Sequence, residues 1–154
     1  EEHGLYGSSY YVENPPFPLE KTIANLNTDM IGRIDKKHIN NPNYVYLIGS
    51  DRISTELDYI VRNANDEFTN LELDYTYNAL NDSNRYYSRS DHYNFALKDI
   101  PVIFFFNGEH SDYHKASDTI DKINFKVLEK RTQLIFATAW YLANSDNPPN
   151  KELL

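Results

Sequence analysis

The 154-residue chain holds 23 Asp and Glu residues, five His and no Cys, so its means of doing metal or acid–base chemistry are carboxylates and imidazoles. These side chains gather in four places. They are the adjacent pair Glu1-Glu2, then Asp29, then the group Tyr87, Asp91 and His92, and last His110, Asp112 and His114. Taken singly each has an ordinary explanation. An acidic pair is a solvated charge run, an Asp after an extended run is a turn or cap residue, and a His in a polar loop is a surface residue. Their conjunction points elsewhere, because oxygen and imidazole donors brought from separate elements to one place are what a hard-to-borderline divalent metal requires.

Strands and helices must alternate to bring them together. Thr22 to Ile31 alternates apolar and polar residues before Gly32 and reads as a strand with Asp29 near its carboxyl end. Tyr44-Val45-Tyr46-Leu47-Ile48 and Pro101 to Phe106 read as buried strands, and Leu71 to Tyr77 as an alternating one. Ser54 caps a helix running to about Phe68 with Leu57, Ile60, Val61 and Ala64 inward. A short helix follows Ser90, its cap, with Tyr93, Ala96 and Leu97 inward. The longest runs from Phe125 to Asn144, capped by Asn124, with Leu128, Thr132, Ile135, Ala139 and Leu142 on one face. The fold class is α/β, a mixed and largely parallel sheet flanked by helices. In such folds ligands collect at the carboxyl ends of strands, which is where Asp29 and His114 fall.

At 18.0 kDa the chain has the size of one domain. Its charge is 15 − 23 = −8 with a pI near 5.0, which repels a phosphate backbone and excludes nucleic acid as a partner. Mean hydropathy is −0.67, and the apolar run Pro101 to Phe106 is far too short to cross a bilayer, so no membrane partner is expected.

Four blocks resemble the co-catalytic dinuclear zinc aminopeptidases of the leucyl aminopeptidase and aminopeptidase Y type. They are Glu1-Glu2-His3-Gly4-Leu5-Tyr6-Gly7-Ser8, Asn27-Thr28-Asp29-Met30-Ile31-Gly32, Arg89-Ser90-Asp91-His92 and Tyr113-His114-Lys115-Ala116-Ser117-Asp118-Thr119. They stand in the family's order and span essentially the whole chain. The resemblance implies a three-layer zinc-exopeptidase fold, a peptide substrate and two zinc ions. It makes Glu1 the general base or acid acting on the metal-bound water and Glu2 a ligand of one zinc, shared with His114. Asp29 ligates the other zinc. Tyr87, four residues before Asp91, stands where some members hydrogen-bond the tetrahedral oxyanion. Asp91 and Asp118 orient imidazole or backbone around the metals. Secreted or periplasmic placement is common among such enzymes.

One part of the pattern is missing. The family supplies five protein ligands, including a His-x-Asp pair whose carboxylate bridges both metals, and none precedes Glu1; His110-Ser111-Asp112 has the spacing but reads as loop. The expectation is therefore the carboxyl-terminal part of a peptidase domain, inactive alone, with an exposed sheet edge able to self-associate. Two other readings fit the same fold. One is a single-zinc glutaminyl cyclase-like enzyme using Glu2 and His114; the other is a non-enzymatic binding module.

Overall fold

The computed structural model describes residues 3–152. The two most apolar runs form β2 (Tyr44–Ile48) and β4 (Val102–Phe106), every residue of which is buried. Shorter, more polar strands flank them: β1 (Asn25–Thr28) and β3 (Glu72–Asp74) form the edges of a sheet ordered β1-β4-β2-β3. β1 runs parallel to β4 and β3 parallel to β2, while β2 and β4 are antiparallel. The sheet is mixed, as the sequence pattern implies.

Alternation along the central strands builds two different faces. Val45, Leu47, Ile103 and Phe105 enter an aliphatic core with Leu57, Val61 and Ala64 of α2 (Thr55–Ala64) and Leu134, Ala137 and Leu142 of α4 (Phe125–Asn144). Tyr44, Tyr46, Ile48, Phe104 and Phe106 face the other way, into an aromatic cluster completed by Tyr77, Tyr86, Tyr87 and Met30. On that side α3 (His92–Ala96) packs on β4 and carries α1 (Tyr6–Glu13). Both expected caps are made: Ser54 Oγ accepts from Leu57 N at 3.1 Å and Asn124 Oδ1 from Val127 N at 3.3 Å.

The buried stripe of α4 departs from the expected one. Leu142 is buried and Leu128 and Ile135 pack against the core as expected, but Thr132 and Ala139 are exposed, and Val127, Arg131, Leu134 and Thr138 take the buried positions. The centre of the stripe is a fully buried Arg131, which no apolar pattern selects. Its guanidinium donates to the carbonyls of Tyr44 (2.8 Å), Ile31 (2.8 Å) and Arg33 (2.7 Å) and lies over the Tyr44 ring. Burial lowers its pKa. On the opposite side of α4, Phe136 and Trp140 are exposed.

Two strands are shorter than the alternation suggests. β1 stops at Thr28 because Met30 takes a left-handed φ of 57° and turns the chain out of the ladder, and β3 covers only Glu72–Asp74 of the Leu71 to Tyr77 run. Leu97 points outward rather than inward. Ser90 does not cap α3, since its side chain is engaged elsewhere. Among the described residues no helix is long and apolar enough to cross a membrane.

Candidate functional site

A cavity of about 220 Å³ opens at the carboxyl ends of the parallel pair β1 and β4. Phe104 and Phe106 of β4 contribute its apolar wall, and Asp29, Tyr86, Arg89, His114 and Asp118 contribute its polar one. Asp29 follows β1 directly. Its Oδ2 accepts from Ser90 Oγ at 2.7 Å, and that buried hydroxyl accepts in turn from Asn27 Nδ2 at 2.8 Å. A strand residue and the start of α3 thus aim the carboxylate together. The turn that follows is closed when Asn107 N donates to Met30 O at 2.8 Å, tying the exit of β1 to the exit of β4.

His114 reaches the cavity from the polar loop after β4, with a left-handed φ of 55° and its ring stacked on Tyr113 at 3.8 Å between centroids. The loop is held by Asp112, whose Oδ1 accepts from Lys122 Nζ at 2.6 Å and Ser117 Oγ at 2.7 Å and whose Oδ2 accepts from Arg33 Nη2 at 2.7 Å. Lys122, then Arg33 and Ser117, hold the Asp112 carboxyl far below the usual carboxylate range. Arg33 also pairs with Asp118, whose Oδ2 lies 3.6 Å from His110 Nε2. Burial lowers the pKa of His110. The His110-Ser111-Asp112 triplet therefore serves as scaffold of the loop, in keeping with its reading as loop.

Tyrosine 86, not 87, lines the cavity. Its hydroxyl donates to Glu109 Oε1 at 2.9 Å, Arg89 lies over its ring, and burial followed by Glu109 raises its pKa. Tyr87 is instead packed edge-on to His92 and Tyr93, with the Arg52 guanidinium 3.8 Å from its ring centroid. It also lies against Gly49, where a Cβ would come within 2.6 Å of its Cε2 at a φ of +85°. Asp91 accepts from Ser8 Oγ at 2.5 Å and so anchors α1 to α3, away from the cavity lining. His92 is fully buried against Phe104, and its pKa is pushed down to about 4, chiefly by burial. Glu1 and Glu2 lie outside the described residues.

The sequence pattern singled out Asp29 and His114, and the family resemblance added Asp118; the fold brings all three to one cavity. Both passed over Ser90 as a partner of Asp29, Arg33 as the tie between the two loops, and Tyr86. The donor set suits zinc in kind, one carboxylate and one imidazole, although among the described residues these two do not complete a three-donor set.

A family model described as Peptidase family M28 matches residues 1–139. Among solved structures, the LapA aminopeptidase of Legionella pneumophila superposes with a TM-score of 0.70 at 24% identity, over 95% of this chain and 38% of that one. BSAP, a zinc aminopeptidase from Bacillus subtilis, gives 0.67 at 25% identity over 91% and 33%. An aminopeptidase from Aneurinibacillus sp. strain AM-1 gives 0.67 at 22% identity over 99% and 34%. The chain thus spans little more than a third of the length of these proteins. No curated protein sequence matches.

Proposed function

Because the chain belongs to peptidase family M28, we propose that it forms the carboxyl-terminal portion of a zinc-dependent aminopeptidase catalytic domain, and that it hydrolyses nothing by itself. The observation that carries this reading is the arrival of Asp29 and His114, from two loops far apart in sequence, at one cavity beside the parallel strand ends.

In this reading Asp29 would hold one zinc ion, and Glu2 and His114 the other. Zinc supplies Lewis acidity toward water and the scissile carbonyl. The remaining work belongs to the protein. Glu1, beside a ligand but not itself one, takes a proton from the attacking water and returns it to the leaving amine. Ser90 keeps the Asp29 carboxylate oriented. Tyr86, which burial keeps protonated, is assigned as the hydrogen-bond donor to the oxyanion in place of Tyr87, its one hydroxyl proton turning from Glu109 to the substrate. Asp118, its charge paired with Arg33, braces the loop that carries His114. The open edge at β1 is where a further strand, or a second copy of the chain, would pair.

The test is zinc-dependent release of p-nitroaniline from aminoacyl anilides, by this chain alone and by the full-length gene product. Release by the full-length product with none by the chain is the expected result. Release by neither, or cyclisation of an N-terminal glutaminyl peptide in place of hydrolysis, overturns the peptidase reading. Release by the chain alone overturns its inactivity.

A further inference from the structure

A second cluster of donors lies at the opposite edge of the sheet, outside the cavity. Glu72 and Asp74 are two apart on β3, so their carboxylates leave the same face, beside Tyr44 and Tyr46 in the paired register of β2. His38, in the connection between β1 and β2, stacks on Tyr44 with centroids 3.6 Å apart and meets Tyr46 edge-on. Its Nδ1 lies 2.9 Å from Asp35 Oδ1, and Asp35 is fixed in turn by Tyr46 OH at 2.6 Å. Asp35 is also clamped by Gly108, where a Cβ would come within 2.6 Å of Oδ2 at a φ of +82°.

The other ring nitrogen is orphaned. His38 is only 4% exposed, yet its Nε2 makes no hydrogen bond. It stands 3.2 Å from Asp74 Oδ2, without the alignment a hydrogen bond needs, and 3.9 Å from Glu72 Oε1. All three donor atoms lie within 4.8 Å of one another. Tetrahedral zinc, with bonds of about 2.0–2.1 Å, separates its ligand atoms by about 3.4 Å. A buried imidazole held at Nδ1 by a carboxylate, with Nε2 aimed at two further carboxylates, is the arrangement that fixes the tautomer of a metal-binding His.

We propose that His38, Glu72 and Asp74 form a divalent-metal site separate from the peptidase cavity, with Asp35 orienting the imidazole and Lys37 acting as a built-in competitor. The imidazole and the set of three ligands select zinc-like borderline ions over calcium or magnesium, which favour all-oxygen shells. Lys37 is the cation now on the site: its Nζ lies 2.5 Å from Asp74 Oδ2 and 2.9 Å from Thr76 Oγ1. Its side chain is half exposed, so it can swing into solvent when the metal arrives. Bound metal clips the edge strand β3 to the connection that follows β1.

The test is zinc titration of this chain against a chromophoric chelator, in a His114→Ala background that removes the imidazole from the cavity. Zinc binding persists in that background, Glu72→Gln weakens it on the order of tenfold or more, and Lys37→Met strengthens it. Both varied residues are half exposed, so neither substitution threatens the fold. The ¹⁵N resonance of His38 Nε2 shifts as zinc is added. Abolition of binding by His114→Ala, or indifference of the affinity to both Glu72→Gln and Lys37→Met, overturns the site.

Discussion

At the residue scale, the two adjacent tyrosines part: one lines the cavity and the other packs behind it. Tyr86 presents its ring to the cavity, and Tyr87 props Gly49 and Arg52. In the full-length gene product Tyr86→Phe lowers kcat on the order of 10²-fold, the usual cost of one oxyanion donor, while Tyr87→Phe leaves kcat nearly unchanged; steady-state hydrolysis of an aminoacyl anilide distinguishes the two. In the same full-length product Ser90→Ala removes the hydroxyl that aims Asp29 and weakens zinc binding at the cavity by about 10- to 100-fold, read by competition with a chelator. Residue types and their placement were enough to single out Asp29 and His114, and the family resemblance added Asp118. They could not choose between neighbouring tyrosines, because that choice depends on which side of a 3₁₀ turn, Tyr86–Ser88, faces inward. Nor could they find His38, whose partners come from a strand more than thirty residues later.

At the element scale, α4 was legible in its length and its cap but only partly in its rotation, since Leu128, Ile135 and Leu142 face the core and Thr132 and Ala139 do not. The pattern that placed Phe125 to Asn144 is set by propensity and by Asn124; the rotation is set in part by Arg131, whose long charged side chain is drawn inward by the carbonyls of Tyr44 at the start of β2 and of Ile31 and Arg33 in the turn after β1. Replacing it with Met leaves those carbonyls without a donor and costs about 3 kcal/mol of stability, measured as a lower urea midpoint. Because the Ile31 and Arg33 carbonyls belong to the turn after Asp29, the same substitution loosens the cavity. Ser54→Ala and Asn124→Ala remove one cap each, at about 1 kcal/mol apiece, and both are checked by the same denaturation curves. β2 and β4 matched the sequence reading almost to the residue, since runs buried on both faces carry their own signal. β1 and β3 were over-extended, since alternation continues past the point where Met30 turns the chain out of β1 and where a 3₁₀ turn, Thr76–Asn78, follows β3.

For the whole molecule, pH acts through groups locked into one protonation state. His92 is neutral in the fold with a pKa of about 4, against 6.5 when free. Below pH 6.5 the unfolded chain therefore takes up a proton that the native chain refuses, and stability falls as pH drops from 6.5 to 4, by up to about 3 kcal/mol. Above 6.5 the group contributes nothing. Asp112, held low by Lys122, Arg33 and Ser117, continues the loss at more acid pH, below its free value of 3.8. Urea midpoints measured across this range show the slope, and His92→Gln flattens the upper part of it.

The packing of α4 bears on how such unfolding is to be watched. The single tryptophan, Trp140, sits 59% exposed on the outer side of that helix, so its emission is already that of a wetted indole in the native state and changes little when the core opens. The rings of Tyr44, Tyr46, Tyr77 and Tyr86, packed edge-on or tilted against one another, are immobilised around the sheet. Their near-ultraviolet circular dichroism reports loss of tertiary order, while Trp140 serves as a local probe for anything that settles on the outer face of α4.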